Sequence, residues 1–147
     1  MKQLKERHVV VLVDDDPEVL SALRRALRRE PYQVLTTTRP AEALKWAEAI
    51  DVSAVVSDHR MPGMTGTELL GRIAERSPAT MGVILTAFGP EAAEQMGMLQ
   101  TVECIIAKPW DDAMLRSAIR DFLFEREMED PVWSERFERK GAKNQVI

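Results

Sequence analysis

At 147 residues, 45% of them apolar and 30% charged, the chain is sized for one domain around one core, and its composition argues against a disordered, collagen-like or disulfide-built molecule. A formal net charge of -4 disfavours an extended nucleic-acid surface, which rests on clustered Lys and Arg. The one cysteine, Cys104, has no internal disulfide partner, and its apolar neighbours Val102, Ile105 and Ile106 mark an inert packed thiol.

Along the chain, Met1 to His8 is charged and lacks the apolar segment of a secretory signal, and no apolar run approaches the ~18 residues needed to span a bilayer. A cytoplasmic protein is expected. Val9 to Val13 has no polar residue, the pattern of a strand buried on both faces of a parallel sheet. Asp16 and Pro17 then read as a helix N-cap and its first residue, where the missing N–H of proline removes nothing. In the helix they open, Leu20, Leu23 and Leu27 share one face, with Arg24, Arg25 and Arg28 largely opposite. Four more strand-length runs follow: Val34 to Thr38, Ser53 to Ser57, Met81 to Thr86 and Val102 to Ala107. Between and after them, Leu44 and Ala47, then Leu69, Leu70 and Ile73, then Leu115, Ile119 and Phe122 repeat the helical spacing, with Asp111 or Asp112 available to cap the last helix. Strand and helix alternate five times, which predicts an α/β fold: a doubly wound parallel sheet with helices on both faces. After Leu123 the periodicity decays into a charged break from Glu125 to Asp130. Asp130 and Pro131 then suggest a short amphipathic helix carrying Trp133 and Phe137 on one face. The expected division is a domain over 8–124 and a C-terminal tail or linker over 125–147.

The chemistry-bearing residues share a position. Asp14 and Asp15, Asp58, Thr86 and Lys108 each end a strand, namely the first, third, fourth and fifth. In open α/β sheets ligands bind beyond the carboxyl ends of the strands, where the strand order reverses, and in the order 2-1-3-4-5 that point lies between strands 1 and 3, the two that carry the acids. Three carboxylates in one crevice raise one another's pKa or bind a cation. Their hard oxygens suit Mg2+. Lys108 adds a point charge fitted to a phosphoryl oxygen, and Thr86 a hydroxyl. Together these are the parts of a phosphoryl-transfer site that works by positioning and charge neutralisation. An Asp-rich turn, a Thr ending a strand or a Lys before Pro would each, alone, be an ordinary surface feature; their convergence carries the reading.

With those residues in place, the chain resembles the receiver domain of bacterial response regulators. Val11-Leu12-Val13-Asp14-Asp15-Asp16-Pro17, Ser57-Asp58-His59-Arg60-Met61-Pro62-Gly63-Met64-Thr65-Gly66, Leu85-Thr86-Ala87 and Lys108-Pro109-Trp110 match its four signature segments in order, over about residues 8 to 124. The resemblance implies a flavodoxin-like, five-stranded sheet in the order 2-1-3-4-5. It implies that Asp58 accepts a phosphoryl group from a sensor histidine kinase or phosphotransfer protein, that Asp14 and Asp15 hold Mg2+ with Asp58 and the backbone carbonyl of Arg60, that Thr86 and Lys108 contact phosphoryl oxygens, and that the Lys108-Pro109 bond is cis. The protein would then be a signalling protein, acting as a catalyst only on its own phosphorylation and dephosphorylation. It would signal through the face made by the fourth helix, fifth strand and fifth helix to a downstream protein or domain, without direct nucleic-acid or membrane contact. A receiver cut from a longer transcription factor or enzyme, a phosphorylation-independent interaction module and a homodimer are the open alternatives.

Four positions depart from the pattern or sit beside it. Ile105 stands where the family commonly carries an aromatic residue that changes rotamer on activation. His59 neighbours Asp58, but alternation along the chain turns its side chain away. Arg60 and Phe88, two residues beyond Asp58 and Thr86, are expected at the mouth of the site.

Overall fold

A computed structural model of the protein describes residues 8–87, 102–129 and 145–146. Five strands lie where the apolar runs predict them: β1 Val9–Val13, β2 Gln33–Thr37, β3 Ala54–Asp58, β4 Met81–Thr86 and β5 Cys104–Ala107. All pair in parallel, in the order β2-β1-β3-β4-β5. The described helices are α1 Pro17–Ala26, α2 Pro40–Ala49, α3 Gly66–Arg76 and α4 Asp112–Glu129, the last being the fifth helix of the sequence reading. The segment between β4 and β5, with Phe88, and the proposed tail helix around Trp133 and Phe137 lie outside the described residues.

Period-two alternation divides the core. Val10 and Leu12 of β1 face α1 and α4, in a cluster with Leu23, Leu27, Leu115 and Ile119. Val11 and Val13 face α2 and α3, with Ala43, Leu69, Ile73 and Ile84. A strand packed on both faces has no position for a polar side chain, which is why β1 reads as an unbroken apolar run. Helix starts follow local chemistry. The Asp16 carboxylate accepts the Glu18 N–H at 2.9 Å, with Pro17 in the first turn. Thr65 Oγ1 accepts the Glu68 N–H at 3.1 Å, and Asp111 Oδ1 the Met114 N–H at 3.0 Å. Trp46 and Trp110 are half-buried against the two clusters.

Two features go beyond the sequence reading. A sixth, two-residue strand, β6 Gln145–Val146, pairs in parallel with β5 within the segment expected to be tail or linker. The last helix also runs past Leu123 through the charged stretch to Glu129, because polar contacts take over where apolar periodicity ends. Arg126 is buried and donates to Asp51 Oδ1 at 2.6 Å. Glu127 Oε1 lies 3.0 Å from His8 Nε2, and the other ring nitrogen of His8 lies 2.8 Å from Ser53 Oγ. These contacts gather at the amino ends of β1 and β3. No helix among the described residues is long and apolar enough to cross a membrane.

Candidate phosphoryl-transfer site

Register brings the sequence-predicted residues to the carboxyl edge of the sheet. Val13 pairs with Ser57, Asp58 with Leu85, and Thr86 with Ala107, so Asp14, Asp58, Thr86 and Lys108 emerge at neighbouring strand ends. Asp14 is 2% exposed, while Asp15, the next residue, faces solvent. One carboxylate oxygen from each of Asp14, Asp15 and Asp58 lies within 4.8 Å of the others. Such a group of hard anionic oxygens, two of them on partly or fully accessible residues, fits a Mg2+ ion that retains water. Asp14, Asp15 and Asp58 are the residues that would hold it.

Lys108 sits between the two inner acids. Its Nζ donates to Asp14 Oδ2 at 3.0 Å and to Asp58 Oδ1 at 3.1 Å. The Lys108-Pro109 bond is cis, and the Lys108 N–H donates to the carbonyl of Thr86 at 2.8 Å, fixing the start of the loop against β4. Burial pushes the Asp14 carboxyl above its ordinary value, despite the opposing Asp16 N–H and the Lys108 ammonium. For Lys108 burial alone would lower the pKa. Its hydrogen bonds and charge contacts with Asp14 and Asp58 outweigh that and hold it above the ordinary lysine value. The ammonium is therefore a fixed positive charge beside an accessible carboxylate.

Thr86 is 2% exposed at the end of β4. Arg60 is exposed in the loop after β3. His59 is turned from the solvent, its Nδ1 3.1 Å from Thr67 Oγ1, and burial holds its pKa below the ordinary value. Ile105 is 1% exposed and packs in the α2–α3 cluster.

Gly66 carries no role in the sequence reading, yet it sets the height of the β3–α3 loop. A Cβ there would collide with the backbone carbonyl of Asp58 and press on Ile84, while the Gly66 N–H donates to the His59 carbonyl at 2.7 Å. The available signal was a glycine at the first position of a helix, directly after the capping Thr65. Gly63 has a different reason: its φ of +83° is open to glycine at little strain.

Comparison with known proteins agrees with this geometry. The family pattern of the response regulator receiver domain matches residues 10–120. The chain is 36% identical over 128 residues to the transcriptional regulatory protein GlrR of Escherichia coli, covering 87% of this chain and 28% of that protein. It is 32% identical over 129 residues to the transcriptional regulatory protein KdpE of Mycobacterium tuberculosis, covering 84% and 56%. Among solved structures, the signal receiver domain of an HD domain-containing protein from Pseudomonas fluorescens superposes with a TM-score of 0.78 at 27% identity, covering 88% of this chain and 96% of that one. The chain belongs to the response regulator receiver family of two-component signalling. It spans about a quarter of GlrR and about half of KdpE, by the coverages of 28% and 56%.

Proposed function

We propose that Asp58 is the phosphoacceptor of a Mg2+-dependent receiver. The observation that carries this reading is the Lys108 ammonium bridging Asp14 and Asp58 at 3.0 and 3.1 Å, in a crevice that also gathers Asp15. An Asp58 carboxylate oxygen attacks the phosphorus of a partner's phosphohistidine. The P–O bond forms as the P–N bond breaks, and its electron pair returns to the imidazole nitrogen. Lys108 neutralises charge on the equatorial oxygens, and the Thr86 hydroxyl donates to one of them. Asp14, Asp15 and Asp58, with the Arg60 backbone carbonyl, would hold a Mg2+ ion, which would supply further positive charge to the site. Water later attacks the acyl phosphate at phosphorus, releasing inorganic phosphate and restoring the Asp58 carboxylate. Signalling would pass through the face formed by the segment after β4, β5 and α4, in the cytoplasm.

Acetyl phosphate with Mg2+ tests the assignment by intact mass. One added phosphoryl group is expected for the wild type and none for Asp58→Ala; equal labelling of the two overturns it.

A second reading concerns output. Because both regulators above extend well beyond the matched region, the receiver would act within, or on, a transcription regulator. The length of the natural reading frame decides between the two.

A further inference from the structure

β2 is the outer strand on one side of the sheet, and no described strand lies beyond it. Its hydrogen-bond pattern shows which main-chain groups are left over. The Gln33 N–H donates to the His8 carbonyl, and the Thr37 carbonyl accepts from Asp14. In a parallel ladder the N–H and C=O of one residue point to the same side and alternate along the strand. Gln33, Leu35 and Thr37 therefore face β1, while Val34 and Thr36 turn their N–H and C=O outward. The strand itself, QVLTT, holds no proline and no charged residue, two of the devices that blunt a free edge.

Beside that edge runs a groove of about 640 Å³ between α1 and β2, lined on its apolar side by Leu27, Tyr32 and Val34. Its wall is basic. Arg24, Arg25 and Arg28 all line it and are exposed. Among the described residues none of the three forms an ion pair with a carboxylate, whereas Arg39, Arg76, Arg120 and Arg126 each do. Arg24 leans to the strand itself, with Nη1 3.5 Å from Thr36 Oγ1. Among the described residues these guanidiniums therefore stand without a carboxylate partner along the strand edge, in a chain of net charge -4.

We propose that this edge receives an extended acidic segment of another protein, which adds to the sheet beside β2 and sets its carboxylates against Arg24, Arg25 and Arg28. Main-chain bonds to Val34 and Thr36 supply the attachment, and the guanidiniums select the partner. The same charges select against the other occupants. A second copy of β2 would bring arginine rows together. Residues 1–7 carry three basic side chains against one acidic, and residues 130–144 four against three, so neither terminal stretch offers the complementary charge.

A fluorescein-labelled peptide of alternating Glu and Val, titrated at low salt and followed by anisotropy, tests this with the full chain. Saturable binding is expected, weakened at least ten-fold by Arg24→Glu with Arg28→Glu. Labelling of Asp58 by acetyl phosphate should persist in that variant and shows that it is folded. Binding should also be lost when alternate peptide amides are N-methylated, because the strand bonds are then removed. Amide exchange should slow at Val34 and Thr36 on binding, with Gln33 and Leu35 unchanged. Absence of binding, equal binding by the double variant, indifference to N-methylation, or displacement by millimolar pyrophosphate would each overturn the proposal, the last in favour of a small-anion site.

Discussion

Lys108 and Asp14 are joined at 3.0 Å across 94 residues of sequence, an ammonium held against an almost fully buried carboxylate. Replacing Lys108 by Met leaves Asp14 and Asp58 facing each other without the positive charge. The expected loss is about 2 kcal/mol at pH 7.5, in the range for breaking a partly buried ion pair. The deficit shrinks on acidification, because Asp14, already raised by burial and now without its partner, takes up a proton in the folded state before it does in the unfolded one. Urea unfolding in EDTA at pH 7.5 and pH 4.5 measures this; an equal loss at both values would refute the electrostatic account.

Asp15 contrasts with its neighbour, being exposed and without a role in packing. Asp15→Asn is expected to abolish measurable Mg2+ binding by calorimetry while leaving the melting temperature in EDTA unchanged or higher, since one of three mutually repelling carboxylates is gone. A marked fall in melting temperature would make Asp15 structural.

The two loop glycines separate steric from conformational demands. Gly66→Ala drives a Cβ into the Asp58 carbonyl, so it should cost about 2–3 kcal/mol and slow acetyl phosphate labelling, because the strand end that carries Asp58 must shift. Gly63→Ala meets nothing within 4 Å and should cost only ~1 kcal/mol, the strain of a positive φ, with labelling little changed. Chemical denaturation and labelling rates on both variants check the pair.

Cys104 gives a pH dependence with a definite sign. Burial pushes its thiol up to about 12 from an ordinary value of 9.0. Between those values the unfolded chain has lost a proton that the folded protein keeps, so stability falls as pH rises, by up to about 1.4 kcal/mol per unit. Tyr32, also raised by burial, adds to the slope above pH 10. Denaturation at pH 8.5 and 10 should show the fall in the wild type and little of it in Cys104→Ala. A thiol reagent at pH 8 should react only as the protein unfolds.

The sheet was legible because the inner strands β1, β3 and β4 pack on both faces and so leave mostly apolar runs, while the edge strand β2 showed only a short apolar core at Val34 and Leu35. The site was legible because a strand's carboxyl end is a sequence position as well as a spatial one: Asp14, Asp58, Thr86 and Lys108 could be aligned before any contact was known. The role of Gly66 was hidden, since nothing in a sequence reports how near Asp58's carbonyl passes. Extension of α4 beyond Leu123 was hidden for a related reason. Its hold comes from single polar contacts to Asp51 and His8, far away in the chain, and isolated charged residues leave no periodic trace. β6 escaped because two residues show no alternation.

Those contacts at the foot of α4 can be measured. A double-mutant cycle on His8→Ala and Glu127→Ala should give a coupling of about 1 kcal/mol, as expected of a shielded pair 3.0 Å apart. Purely additive losses would mean that the two side chains act separately.

Chimera design inherits a constraint from this foot. The family match ends at residue 120, and a graft joined there would leave Asp51, Ser53 and His8 on the receiver while Arg126 and Glu127 came from the donor. Such a hybrid would carry a mismatched seam at the amino edge of the sheet, on the side remote from Asp58. Junctions placed after Glu129 keep both halves of the seam from one parent, so the interchangeable unit is longer than the segment that matches the family.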